Sequence, residues 1–238
     1  MRPDKPKSLA DEDEVKDRTN RVYEQHVLKL NVFVDELRER KGPDFYIPYF
    51  DPLDGGTNAK ALFLLEAPGP KTKASGFISR NNNDLTAQYT FELHSAALIS
   101  RQDAVLWNIV PWFISKEGKI RPPRKEEIKE GFKELLNLVE LLPNLQCIVL
   151  AGKNAQKIEL WLSMHLERDL QVFKTPHPSP QFIHRYPENR RILLDSLNEV
   201  SAFIGSSKMQ PTNKLSVERD GFFNKLLSKA RTIFAGVK

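Results

Sequence analysis

The chain has 238 residues, room for one α/β domain with terminal additions, and 40% of them are hydrophobic, enough for a substantial core. No run of about 18 apolar residues occurs, which excludes a membrane-spanning helix. The single cysteine, Cys147, excludes an intramolecular disulfide, a Cys-based zinc site and an iron–sulfur cluster, while a net charge of +5 permits a polyanionic partner without requiring one.

Residues 1–8 set Pro3 and Pro6 among charges and read as disordered. The charged start lacks the apolar segment of a secretory signal, and Cys147 sits in an apolar run, so a cytoplasmic protein with a reduced thiol is expected. From about Ala10 to Lys41, Val15, Val22, His26, Leu30, Val34 and Leu37 recur at near-helical spacing, and so long a segment is expected to contain a break or cap. Gly42–Asn58 is dense in Pro, Gly, Asp and aromatics and reads as an ordered loop whose rings pack on a sheet. The stretch Lys60–Pro70, KALFLLEAPGP, carries an apolar run from Ala61 to Leu65 that ends in a carboxylate and turn residues. That pattern predicts a strand buried on both faces, with Glu66 where the strand gives way to a loop.

Lys71–Asp84 (KTKASGFISRNNND) reads as a polar loop that is functional or mobile. Leu85–Ser100 is periodic as a helix, and Ala104–Val110 (AVLWNIV) predicts a second strand with one polar residue, Asn108, in its interior. A basic, Pro-rich stretch, Gly118–Glu126, precedes a helix over about Glu126–Leu142. Leu145–Ala151 is the third strand, Ala155–His165 a helix, and Leu170–Lys174 a fourth strand running into Thr175-Pro-His-Pro-Ser-Pro. Arg190–Ile204 is a last amphipathic helix of the domain, followed by a polar linker and a short basic tail helix over Asp220–Phe234.

Four apolar strands alternating with helices predict an α/β fold: a three-layer α/β/α sandwich around a central four-stranded parallel sheet, with extra N-terminal and C-terminal helices. The expected organisation is a lead-in over 1–59, the α/β domain over 60–205 and a basic extension over 206–238. In a parallel sheet all carboxyl ends point one way, so Glu66, Asn108 and His177 can meet in one crevice.

These residues carry a resemblance to the uracil-DNA glycosylase superfamily. Leu65–Gly69, LEAPG, is similar to the GEAPG first motif of its thermostable branch, with Leu65 where that motif opens on glycine. His177-Pro178-Ser179-Pro180 is similar to the HPS(P) second motif, and Asn108 sits where the family has a strand-borne asparagine. Phe77, in SGFISR, resembles the phenylalanine that stacks on the base. The likeness runs in order from Lys60 to Phe203, and lacks the four cluster-binding cysteines of that branch.

The resemblance implies a DNA-repair hydrolase that flips uracil, or a related deaminated base, out of DNA and hydrolyses its N-glycosidic bond, as a metal-free and cofactor-free monomer without a membrane partner. It implies Glu66 and His177 as catalytic groups: the carboxylate orienting water or stabilising the sugar cation, the neutral imidazole donating to the uracil O2. It implies Asn108, Phe77 and Ala67 around the base, Asn108 reading N3–H and O4. Pro68, Gly69 and Ser179 would lie on DNA, and Lys71, Lys73, Arg80, Lys119, Arg121 and Arg124 are candidate phosphate contacts. Each residue also has a plainer reading: a solvated strand-end carboxylate, a histidine fixed in a Pro-rich turn, a buried amide satisfied by a loop, an aromatic packed on the sheet, cations facing solvent. The competing function is a non-catalytic nucleic-acid or nucleotide-binding protein of the same fold. A base-methyltransferase reading of NIVPW is disfavoured, because EAPGP offers one glycine where a donor-binding turn needs several.

Overall fold

The computed structural model describes residues 4–116 and 119–206. Its strands are β1 (Tyr49–Phe50), β2 (Ala61–Leu65), β3 (Phe77–Ile78), β4 (Ala104–Asn108), β5 (Ser115–Lys116), β6 (Lys119–Ile120), β7 (Cys147–Ala151) and β8 (Gln171–Thr175). They alternate with α1 (Glu12–Asn20), α2 (Leu28–Lys41), α3 (Pro70–Ser75), α4 (Leu85–Ala96), α5 (Lys125–Glu140), α6 (Lys153–Gln156), α7 (Glu159–His165), α8 (Pro180–Ile183) and α9 (Asn189–Ser206). The central sheet is parallel throughout, in the order β4-β2-β7-β8.

The layers follow from the alternation of side chains along the strands. Phe63 of β2 lies against His94 of α4 and Phe173 of β8 against Phe203 of α9, so these two helices cover one face. Trp107 of β4 points the other way, stacked on Phe50 with ring centres 4.5 Å apart and tilted against Phe33 of α2. On that second face α2 is fastened to α5 by Arg40–Glu134 and Lys41–Glu130 ion pairs, each 2.7 Å, and Phe132 of α5 meets Trp161 of α7. The buried side chains of α2 belong to the same core as β2, so the lead-in and the sheet share one interior.

The long helical segment at the start breaks at Arg21–Val27. Asp11 caps α1 by accepting from the Asp13 amide, and Asn31 holds the far side of the break, giving an amide proton to the Val22 carbonyl at 2.7 Å. The helix expected over Ala155–His165 is likewise two pieces, α6 and α7. Gly131 sits in mid-helix, normally a cost of about 1 kcal/mol, because a Cβ there would lie 1.7 Å from the Ile109 carbonyl oxygen. That close approach presses α5 onto the loop that leaves β4. The basic tail expected over Asp220–Phe234 lies outside the described residues.

Two expectations are corrected. Residues 4–8 are held, not free: Asp4 pairs with Arg101, and the Lys5 carbonyl accepts from the Asn81 amide at 2.7 Å. Lys71–Asp84 is no open loop, because its polar groups satisfy one another inside the fold. Ser75 donates to Asn82 at 2.6 Å, Asn82 donates to the Phe77 carbonyl at 2.9 Å, and β3 pairs in parallel with β1.

Beneath this segment lies a buried charge cluster. Arg101 donates to Asp51 at 2.6 Å and to Asp4 at 2.9 Å, its Nε lies 2.8 Å from Asp54, and Arg18 reaches Asp51 at 3.1 Å. The two guanidinium groups and the Ser79 hydroxyl hold Asp51 below the usual carboxylate range against the effect of its burial. Asp54 fares differently: burial, with the nearby Asp51 charge, raises it to about 7, and its Oδ2 has no hydrogen-bond partner among the described residues. Between about pH 4 and 7 the folded chain therefore retains a proton that the unfolded chain releases, so the Asp54 contribution to stability falls as pH rises through that window. Asp54→Asn cannot titrate. Its stability relative to the parent is expected to rise by roughly 2–4 kcal/mol between pH 4 and pH 8, read from denaturant melts at both ends; a pH-independent difference would refute the assignment. His94, which burial lowers to about 3, acts oppositely but equally in both proteins and cancels from the comparison.

Candidate active site

The carboxyl ends of the four central strands put their residues on one edge. β2 is central, and Asn108 of β4 is in register with Leu65. The pairing then continues past the strand: the Ile109 amide donates to the Leu65 carbonyl at 2.8 Å and the Val110 amide to the Glu66 carbonyl at 3.0 Å. Asn108 and Glu66 are thereby locked side by side. On the other flank Ala151 of β7 is in register with Thr175 of β8, and the Gly152 amide donates to the Thr175 carbonyl at 2.9 Å.

His177 arrives two residues beyond β8. Its neighbour in space is Gly152, at φ 89°, where a Cβ would sit 2.8 Å from the His177 Cβ. The glycine is required twice over, for a left-handed backbone and for the approach of the histidine. Burial lowers the imidazole pKa below its ordinary value, while the carboxylates of Glu66 and Asp84 act in the opposite direction. The outcome is a ring that stays neutral at neutral pH, one nitrogen a donor and the other an acceptor. Glu66 and Asp84 are thus close enough for their charges to be felt at His177, which joins the first and last motifs in space.

Glu66 is half-buried, and its Oε2 accepts a 2.9 Å hydrogen bond from Asn154 Nδ2. Asn108 is 3% exposed, yet its side-chain amide makes no hydrogen bond with another described residue. The structure thus gives no support to a loop that satisfies it, and as neither amide atom is among the fully enclosed polar atoms without a partner, the group keeps contact with solvent. Ser179 begins α8, its hydroxyl oxygen accepting from the Phe182 amide at 3.4 Å while its own proton remains available to donate. Pro68 is buried, Ala67 packs against the core, and Gly69 faces open space as the residue before α3. Below the floor, Leu65, Leu106, Thr175 and His94 line a cavity of about 20 Å³ that would hold about one water.

Three expected contacts are not where the sequence suggested. Phe77 is 2% exposed and packs with Leu9 and Val22, so its ring is enclosed and would need those residues to move before it could stack on a base. Arg80 is 7% exposed and lies within the buried charge cluster, 3.6 Å from Asp4, because α4 and the N-terminal segment close over it. Arg121 is held by Glu127 through two hydrogen bonds of 2.8 and 2.6 Å, so its charge is already countered. Lys71, Lys73 and Arg124 are exposed, and the Lys119 side chain lies outside the described ones.

Sequence reasoning missed Asn154, Gly152 and Asp84. The signal was available for the first two: Ala151-Gly152-Lys153-Asn154 closes β7 with a glycine and polar residues, as turn and polar residues close the other central strands. Asp84 was hidden by its ordinary local task, since it caps α4 by accepting from the Ala87 amide at 2.9 Å. Among the described residues no group of three or more His, Cys, Asp or Glu side chains is placed to hold a metal ion. A family model for the uracil DNA glycosylase superfamily matches residues 52–200, more than half of the chain. No curated protein matches it.

Proposed function

The chain belongs to the uracil-DNA glycosylase superfamily, and from that membership we propose that it hydrolyses the N-glycosidic bond of uracil, or of a related deaminated base, in DNA. The observation that carries the reading is the meeting of Glu66 and a neutral His177 at one sheet edge, with Asn108, whose amide has no hydrogen-bond partner among the described residues, on the adjacent strand.

The residues divide the reaction between them. The target base is first flipped out of the stack, at a cost of a few kcal/mol. As the bond from the sugar C1′ to the base N1 breaks, positive charge grows on the sugar and negative charge on uracil, most of it felt at O2. His177, neutral, donates its N–H to that oxygen, an interaction stronger in the transition state than in the bound substrate. Glu66 faces the other partner, its negative charge stabilising the oxocarbenium and its oxygen directing a water to C1′. Water supplies hydroxyl to the sugar and a proton that ends on the departing base, leaving an abasic site. Asn108 pairs with N3–H and O4, and Ser179 with the loop Ala67–Gly69 borders the base and the adjoining phosphate.

The deciding experiment incubates the protein with single- and double-stranded oligonucleotides carrying one uracil, then treats them with alkali. Strand scission at the uracil supports the glycosylase reading; retention of the DNA without scission would replace it with a binding protein. Related deaminated bases in the same assay define the range.

Two outcomes follow from the site as built. Gly152→Ala places a methyl group against His177 and strains a φ of 89°. It should slow single-turnover excision by about 10–100-fold, as for a misplacement on the order of 1 Å, with DNA affinity within twofold. Normal excision would mean that His177 tolerates displacement. Among the cations, α3 and the start of α5 both lie at the carboxyl edge of the sheet, so Lys71→Ala and Arg124→Ala should each reduce the slope of log K against log salt by about 0.9. Arg121→Ala should change it far less, its charge being held by Glu127; equal slopes for all three would refute that ranking.

A further inference from the structure

Asn154 lies outside the motifs that define the site, in the short helix after β7, yet it touches Glu66 directly. Its orientation is fixed by chemistry. Glu66 Oε2 lies 2.9 Å from one end of the amide and Lys157 Nζ 2.6 Å from the other. A carboxylate only accepts and an ammonium only donates, so the amide nitrogen must face Glu66 and the amide oxygen must face Lys157. The three groups therefore form a chain in one direction, Lys157 to Asn154 to Glu66, each bond polarising the next.

The position of the chain matters as much as its polarity. Asn154 follows Gly152, whose left-handed turn lets His177 approach, so one turn after β7 seats both halves of the site. Asn154 engages Oε2 of Glu66, which is already flanked by β4 on its other side through the Val110 amide on its carbonyl. Lys157 is exposed and Asn154 half-buried, so the chain carries the influence of a surface charge to the crevice without placing that charge beside the reacting atoms.

We infer that Asn154, backed by Lys157, is a positioning residue that fixes one oxygen of Glu66 and leaves the other to direct water at the sugar. The inference rests on the glycosylase reading for its consequence, but the hydrogen-bond chain can be tested without it. The amide stabilises the charged carboxylate, so its removal should make Glu66 easier to protonate. Asn154→Asp sets a second carboxylate against the first, and Lys157→Ala removes only the outer link.

The experiment follows the Glu66 side-chain carboxyl by carbon-13 NMR against pH in the parent, Asn154→Ala, Asn154→Asp and Lys157→Ala, and in parallel measures single-turnover uracil release across pH with DNA affinity. In Asn154→Ala the Glu66 titration midpoint should move up by roughly 0.5–1 pH unit. The acid limb of the rate profile should move with it, and the rate at neutral pH should fall by about 5–30-fold at unchanged affinity. Asn154→Asp should move the midpoint further and Lys157→Ala less, in the same direction. An unmoved midpoint in all three variants would overturn the inference, whatever the rate does, and a lower rate accompanied only by a lower melting temperature would make Asn154 structural. If the midpoint moves as expected while the parent releases no uracil, the hydrogen-bond chain stands and the glycosylase reading falls. If the parent is active and the midpoint is fixed, the reverse holds.

Discussion

Replacing His177 with alanine is expected to lower the single-turnover rate of uracil release by about 10²–10³-fold, the loss that follows removal of one oxyanion donor, with DNA binding nearly unchanged. The imidazole is buried and neutral, and its backbone carbonyl accepts from the Ser179 amide at 2.8 Å, so the turn that carries it is held independently of the ring. Alanine therefore removes the donor and leaves the turn standing. The effect has a sign in pH as well. A histidine held below its ordinary value is neutral over a wider range, so its protonation state should not change in mild acid, and the loss caused by His177→Ala should stay the same size there as at neutral pH. Single-turnover kinetics of the variant over pH 5–8 test both statements. Near-normal cleavage by His177→Ala would assign the ring to the turn alone.

The second large effect is expected at Asn108. Uracil offers an N3–H donor and an O4 acceptor, which one amide can satisfy together; cytosine offers the reverse and would leave the amide mispaired in a dry pocket. A mispaired buried polar group costs about 1–3 kcal/mol, worth roughly 5–150-fold in discrimination. Asn108 makes no hydrogen bond with another described residue, so its pairing capacity is intact for a base. Asn108→Asp removes the NH₂ donor; a protonated carboxyl can instead give its proton to cytosine N3 and accept from N4. The variant should lose about 10–100-fold in uracil excision and gain weak cytosine excision. If the amide were structural, the variant would lose stability and keep its uracil-to-cytosine ratio. Rates on matched uracil and cytosine oligonucleotides, with a melting curve, separate the two outcomes.

The sheet was legible because its strands are short apolar runs closed by Pro, Gly or polar residues, a pattern that survives any tertiary context. Glu66 and His177 were legible for the same reason, since a polar residue at the carboxyl end of a parallel strand has few places to go. Asn108 showed itself by being polar where every neighbour is apolar. What stayed hidden was set by partners far along the chain. Nothing local to Arg80 or Arg121 says that Asp4 and Glu127 will neutralise them, and nothing local to Phe77 says that α1 will fold over it. The asparagines of Lys71–Asp84 looked like a solvated loop because composition cannot distinguish polar groups that face water from polar groups that face each other. Asn154 was missed for a simpler reason: it stands three residues beyond its strand, where a helix has already begun.

The strand order β4-β2-β7-β8 also bears on how the chain is made. β2 is synthesised first among the four, but one of its neighbours starts at Ala104 and the other only at Cys147, about 80 residues after Leu65. At translation rates of roughly 5–20 residues per second, the second edge of ALFLL waits on the order of 4–16 s for its partner. During that interval this wholly apolar strand is an open hydrogen-bonding edge emerging from the ribosome, the situation in which nascent chains pair with the wrong neighbour. Slow codons or a holding chaperone would matter most while the segment from Ala104 to Ala151 is being made. Substitutions at exposed positions of that interval away from the crevice, such as Glu140 at the end of α5, would then change the yield of folded protein and leave the activity of each folded molecule as it was.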